Sequence, residues 1–277
     1  DKCICNVNSE NVFYRLLWEN CFLDKFAKKN NIDIMFIPIY SKPIRKSKGL
    51  SYISVIHDLQ ALHYPEYFSK IKYIWLKYAW KRCVITSDEV IAISNFVKED
   101  IKEKLGADES KIKVIYNPIV KTEKVKSFDS IYTKYNINMK DYFYSVSSML
   151  PHKNLKTLLF IMEKIKKDNL DLPKKLVISG VGGKSEAEFR KLINDLHIQD
   201  NIIITGFISD EERDCLYKNA SLFLFSSIFE GFGMPLIESI LNGTDVVATN
   251  TTCIPEVTNN KACLLYTSDA ADEGLGV

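Results

Sequence analysis

Two glutamates, Glu230 and Glu238, flank a Gly-Phe-Gly turn and a proline in EGFGMPLIES, Glu230 to Ser239. Pro235 suits the first residue of a helix, and PLIESILNG then reads as a short helix that ends at Gly243 and holds Glu238 in its first turn. The preceding run SLFLFSS is apolar and short enough for a buried parallel strand. Strand, glycine turn and helix in succession expose backbone N–H groups and the positive end of the helix dipole, which suits a phosphate. An ionised carboxylate accepts hydrogen bonds but donates none. A pair of them beside an anion therefore fits hydroxyls on either side of it, as a sugar and a ribose would present. In the plainer alternative Glu238 complements the dipole and Glu230 is solvated.

Other residues could join such a site. Lys153 sits at the start of a helix in PHKN, where a cation opposes the dipole unless an anion is present. His57 and Asp58 follow the apolar run SYISVI, at the carboxyl end of an expected strand, where catalytic groups of parallel sheets gather; a strand-end histidine with no role is the alternative. The remaining histidines, His63, His152 and His197, have no metal-ligand spacing, and no Asp-x-Asp pair offers a divalent ion a seat, so no metal and no cofactor is expected. GVGGKS, Gly180 to Ser185, imitates the end of a phosphate-binding loop, but Ile178 stands where that motif needs glycine. It reads better as a nucleotide-contacting turn.

These residues need a scaffold of alternating elements. IDIMFIPI, SYISVIHDL, EVIAIS, YFYSVSS, KLVISG, NIIITG, SLFLFSS and DVVATN read as strands. Between them NFVKEDIKEKLG, NLKTLLFIMEKIKKDN, SEAEFRKLINDLHI and SDEERDCLYKNA have helical periodicity, and Ser209 with Glu212 forms a capping-box signature. Alternation of this kind means an α/β fold with parallel sheets. The polar KTEKVKSFDS divides it, giving a Rossmann-like domain over 1–120, a linker over 121–138 and a second Rossmann-like domain over 139–262. The last residues, 263–277, contain CLLYTSDAADE, which resembles a translated sequencing adapter and is set aside as a tail; a strand, ACLLYT, is the alternative. The first residues, DKCICNV, read as the beginning of a fragment.

The 277 residues carry a net charge of +2, unevenly spread: 23 Lys+Arg against 16 Asp+Glu up to residue 138, then 14 against 19, or +7 and −5. That balance and the lack of aromatic-plus-basic motifs argue against a nucleic-acid partner. A basic first half suits an anionic membrane surface. YFSKIKYIWLKYAWKRC, Tyr67 to Cys83, would as a helix line up Lys70, Lys77 and Lys81 beside Ile71, Ile74, Trp75 and Tyr78. It either meets a membrane interface or packs its apolar side on the sheet, the second being the commoner arrangement. Seven cysteines without zinc spacing or disulfide density, and no signal peptide or membrane-spanning run, point to the cytoplasm, at or near the inner face of the membrane.

From about Arg15 to Val257 the chain resembles the GT-B glycosyltransferases of family 4, which are retaining enzymes using nucleotide sugars. The resemblance rests on AISNFVKEDI, VIYNPI, YSVSSMLPHKNLKTLL and NIIITGFISDEERDCLYKNASLFLFSSIFEGFGMPLIES, in that order, and VIHDLQALHYPEYFS is most similar to members that build bacterial surface polysaccharides, often mannosyltransferases. It implies two domains facing a cleft, a nucleotide-sugar donor and a glycan or lipid-linked acceptor. It assigns Glu230 to the donor sugar's hydroxyls, Glu238 to the ribose, and the amides of Phe232, Gly233 and Met234 to the sugar and its phosphate. Lys153 would meet the leaving diphosphate and His57 the transferred sugar, while Ser147, Ser148, Gly180, Gly206 and Phe207 fall on donor-side turns. Where members often carry Gly-Arg this chain has Ser147-Ser148, so a second cation on the diphosphate is missing unless another residue such as His152 supplies part of it. The family's amino-terminal glycine-rich loop and carboxyl-terminal crossing helix are also absent. Those departures leave a second reading, a catalytically impaired sugar-nucleotide-binding protein of the same fold; a P-loop-like nucleotide-binding protein is a remoter one.

Overall fold

The computed structural model describes residues 11–40, 42–43, 47–120, 127–183 and 185–265. The chain forms two compact units that divide between Tyr116 and Asn117. The first holds α1 (Val12–Cys21), α2 (Leu23–Lys29), β1 (Ile34–Ile37), β2 (Ser51–Ile56), α3 (Gln60–His63), α4 (Lys70–Thr86), β3 (Glu89–Ala92), α5 (Asn95–Leu105) and β4 (Ile112–Val114). Its four strands are parallel and lie in chain order. The expected helices form for local reasons. Ser94 accepts from the Val97 amide at the start of α5, and Gly106 takes the left-handed conformation, φ 60°, that ends it. VIYNPI is a strand only at its first residue, Val114; beyond it the backbone is irregular.

The second unit holds α6 (Phe128–Tyr135), β5 (Tyr142–Val146), α7 (Leu155–Lys167), β6 (Lys175–Ser179), α8 (Glu186–Asp195), β7 (Ile202–Gly206), α9 (Asp210–Asn219), β8 (Leu222–Phe225), α10 (Met234–Leu241), β9 (Val246–Thr249), α11 (Ile254–Thr258) and β10 (Cys263–Leu265). Of the expected linker, 121–126 lie outside the described residues, and Phe128–Tyr135 is helix α6, which buries Ile131 in this unit's core. Cys263–Leu265, set aside above as tail, pairs in parallel with β9 as the edge strand, while 266–277, Lys184, Cys3 and Cys5 fall outside the described residues.

All six strands of this sheet are parallel, in the order β10-β9-β8-β5-β6-β7. Successive residues alternate between two cores. Tyr142, Tyr144, Phe223 and Phe225 pack with α9, α10 and α11; Phe143, Leu176, Ile178 and Leu224 pack with α7 and α8. Counted from its first strand, the sheet grows outward in one direction through β6 and β7, then returns to the other side of β5 through β8, β9 and β10. The order therefore reverses between β5 and β8, and it is beyond the carboxyl ends of such a pair that open α/β sheets bind their ligands.

Candidate active site

Three turns meet at this end of the sheet. The Ser147 amide donates to the Ser179 carbonyl at 3.0 Å and the Gly180 amide to the Gly206 carbonyl at 2.8 Å, so the ends of β5, β6 and β7 are laced together. Gly180 has φ +83°, and a Cβ there would stand 2.7 Å from the Ser147 carbonyl oxygen, so only glycine fits. Gly206, at φ +70°, turns the chain out of β7 and leaves Phe207 87% exposed beside it. An exposed aromatic at the end of a parallel strand is available for stacking. Ser148 borders a cavity of about 330 Å³ lined by Met149, Pro151, Asn154, Ser185 and Phe189 among others.

Lys153 enters this end of the sheet from the loop after β5, and Glu230 from the loop after β8. Pro151–Lys153 is a single tight turn, and Asn154, at φ 50°, starts α7. Two bonds tie this turn across the reversal point: the Ile228 amide to the His152 carbonyl at 2.8 Å, and the Ser226 hydroxyl to the Lys153 carbonyl at 2.9 Å. The Lys153 ammonium then lies 2.6 Å from Glu230 Oε1, with the side chains 21% and 11% exposed. Glu230 is fixed from its other side by Thr252, whose hydroxyl accepts from the Glu230 amide at 3.2 Å, and by the Cys253 thiol on the Glu230 carbonyl. His152 is buried, and burial followed by the neighbouring Lys153 charge lowers its pKa to about 4. It is neutral at pH 7 and does not supply the second cation that sequence reading left open for it.

The glycine turn behaves differently from expectation in one respect. Gly233 takes φ +77° and caps α10, so the helix begins at Met234 and Glu238 is its fifth residue, past the first turn. Glu238 therefore does not complement the dipole. Phe232 is buried and Met234 exposed, and the amides of Gly233 and Met234 have no backbone acceptor among the described residues, as the first groups of a helix should not. Glu238 Oε2 accepts from the Tyr217 hydroxyl at 3.0 Å and lies 3.5 Å from Arg213 Nε.

In the first unit, His57 follows β2 as expected, and its Nε2 donates to the Pro38 carbonyl at 2.8 Å. With Nε2 carrying the hydrogen, a neutral His57 presents Nδ1 as an acceptor. His57 and Asp58 border a cavity of about 210 Å³ with Tyr40, Gln60, Lys72 and Trp80. Sequence reading missed the pair that braces this segment: His63 Nε2 is 2.8 Å from both carboxylate oxygens of Asp100, whose pKa burial raises against the pull of His63. Among the described residues no group of three or more His, Cys, Asp or Glu side chains is arranged to hold a metal ion.

Residues 127–273 match the family described as Glycosyl transferases group 1, and residues 4–122 match Glycosyltransferase Family 4. The chain belongs to the group 1 glycosyltransferases. It is 27% identical over 214 residues to the O-antigen chain mannosyltransferase RfbU of Salmonella typhimurium, covering 77% of this chain and 56% of that protein. It is 24% identical over 228 residues to the O-antigen chain mannosyltransferase B of Escherichia coli, covering 78% and 58%. The chain spans little more than half the length of those relatives. In fold it is similar to Anabaena Alr3699/HepE, solved in complex with UDP and glucose, with a TM-score of 0.69 at 18% identity over 88% of this chain and 66% of that one. Its two parallel sheets are those of the GT-B glycosyltransferases, as the motifs implied.

Ser147, Ser148, Lys153, Gly180, Gly206, Phe207, Glu230, Phe232, Gly233, Met234 and Glu238 belong to the second unit, and His57 to the first. Two partners of the site were not foreseen, Arg213 and Tyr217. Their only signal is that they stand four apart on one helical face of SDEERDCLYKNA.

Proposed function

We propose that this glycosyltransferase moves a hexosyl group, mannosyl by the names of its relatives, from a nucleoside diphosphate sugar to a hydroxyl of a growing, lipid-linked glycan of bacterial surface polysaccharide, with retention at the anomeric carbon. The observation that carries the reading is the Lys153–Glu230 pair at 2.6 Å beyond the reversal of strand order, where a diphosphate and its sugar would lie side by side. A diphosphate arriving there takes Lys153 as its counter-ion and frees Glu230 for the sugar hydroxyls. The bond from the anomeric carbon to the diphosphate oxygen breaks while the acceptor oxygen bonds to the same face of that carbon. The acceptor proton passes to the departing diphosphate, whose growing charge Lys153 and the amino-terminal end of α10 stabilise. No metal or other cofactor enters this scheme. Glu238 holds the ribose, and His57 meets the transferred sugar, as the resemblance implies.

The acceptor side is proposed to rest on an anionic membrane. α4 does pack on its sheet, through Leu76, Ala79, Trp80, Cys83 and Val84, yet its opposite side carries exposed Ile71, Ile74, Tyr78 and Ile85. Lys70, Lys77 and Lys81 run beside that stripe, and the helix contains no carboxylate. No helix of the described residues is long and apolar enough to cross a membrane.

A second reading, donor binding without transfer, is favoured by one observation: Ser148 and neutral His152 stand where a second cation would join Lys153, and neither carries a charge. Calorimetric titration of a panel of UDP- and GDP-hexoses, followed by release of the nucleoside diphosphate in the presence of acceptor, tests both. Binding with turnover supports transfer, binding alone supports the second reading, and no binding refutes the donor site.

A further inference from the structure

We propose that Arg213, acting with Tyr217, is a positioning residue that fixes the Glu238 carboxylate so that its second oxygen meets the ribose hydroxyls of a nucleoside diphosphate. The inference rests on the donor-site reading above. Arg213 and Tyr217 are four residues apart on α9 and so share the face that packs on α10. Both reach the same atom. The Tyr217 hydroxyl donates to Glu238 Oε2 at 3.0 Å, and Arg213 Nε lies 3.5 Å from it. No protein donor among the described residues reaches Oε1, and the side chain is 14% exposed. The Tyr217 hydrogen bond anchors Oε2 and the Arg213 charge draws the same oxygen, so turning the carboxylate gives up both and Oε1 is left as the oxygen for a ligand.

The way Arg213 is held explains why it orients Glu238 without consuming its acceptor capacity. Nη1 donates to Asp210 at 2.8 Å and Nη2 to Asp214 at 3.4 Å, which turns the Nε edge toward Glu238. Nε is buried yet completes no hydrogen bond, so the guanidinium acts on the carboxylate as a nearby charge. Tyr217 is wholly buried, and burial, then Tyr144 and Glu238, push its pKa well above the ordinary phenol value, so its hydroxyl remains a donor at every working pH. Arg213, Glu238 and Asn242 line one narrow cleft with Ile119 and Val120. A site that aims a carboxylate oxygen at a hydroxyl should reject the analogue lacking that hydroxyl.

The test is titration of the 277-residue chain with UDP against 2′-deoxy-UDP and GDP against 2′-deoxy-GDP, for the wild type and for Arg213→Leu, Arg213→Lys and Tyr217→Phe. The wild type should prefer the ribose form of its nucleotide about tenfold, the loss expected for one hydrogen bond to a charged group. Arg213→Leu should reduce that preference to about twofold while leaving affinity for the deoxy form within about twofold, and Arg213→Lys should retain most of it. Tyr217→Phe should fall between. An undiminished preference in Arg213→Leu, or an equal loss for both nucleotides, overturns the proposal and leaves the donor site standing. A wild type that binds neither nucleotide refutes the donor site and this inference with it.

Discussion

Replacing Lys153 by alanine removes the cation that stands 2.6 Å from Glu230 Oε1. With Lys153 21% exposed, its surroundings are neither bulk water nor dry interior. At an effective dielectric of about 20, a unit charge about 3 Å from a phosphate oxygen interacts by roughly 5.5 kcal/mol. Most of that is present before reaction. Only the charge gained by the leaving diphosphate, about half a unit as the glycosidic bond breaks, counts toward rate, so the transition state loses about 3 kcal/mol, or roughly a hundredfold in kcat. The ground state changes too, because Glu230, 11% exposed, is left facing the phosphate without its partner at 2.6 Å, and the KM for donor should rise. Single-turnover measurement at saturating donor separates the two effects. Lys153→Arg retains the charge and should recover most of the rate. A Lys153→Ala variant whose kcat stays within threefold of wild type would refute the assignment, whatever happens to KM.

Three further outcomes are expected. His152 has its pKa lowered to about 4 by burial and the adjacent Lys153, so the unfolded chain binds a proton that the folded one excludes between about pH 6.5 and 4. Stability contributed by the neutral imidazole is therefore present above pH 6.5 and is lost as pH falls through that window, by up to ~3 kcal/mol; urea melts of wild type and His152→Asn should diverge in slope there, and parallel pH dependence would contradict this. Transfer should survive EDTA, since Lys153 and the start of α10 carry the diphosphate; strict dependence on magnesium or manganese would overturn that scheme. Wild type should sediment with vesicles containing anionic lipid in a salt-sensitive way, and Ile74→Glu with Tyr78→Glu should release it; equal, salt-insensitive partitioning to neutral vesicles would count against α4 as the contact.

The scaffold was legible because both faces of the central strands β5, β6 and β8 are buried, which writes strands as short apolar runs such as YFYSV and LFLF between amphipathic helices. Ser209 capped α9 as its spacing implied, accepting from the Glu212 amide at 3.3 Å; the buried Glu212 carboxylate binds Lys134 and Tyr135 of α6, a contact far away in sequence. The start of α10 was misplaced because a left-handed glycine, Gly233, can cap a helix without any side-chain signature. The 121–138 segment read as polar linker, yet eight of its residues form α6 around one buried isoleucine, Ile131, too few apolar positions to stand out. The site's residue types were readable, but their pairing was not. Lys153 and Glu230 are 77 positions apart and meet only because β5 and β8 are neighbours in the sheet. Arg213 reads from sequence as one charge in a run of charges, and only the packing of α9 on α10 reveals which carboxylate it serves.

Transfer of a hexosyl group with retention is proposed for the Lys153–Glu230 end of the second sheet. Its most direct measurement is proton NMR of the first product formed from an α-linked nucleoside diphosphate hexose and a lipid-linked acceptor, with wild type and Lys153→Ala compared at equal protein concentration. Wild type should give an α-linked product, and the variant should form the same anomer about a hundredfold more slowly. A β-linked product, or equal rates from the two proteins, would contradict the proposal.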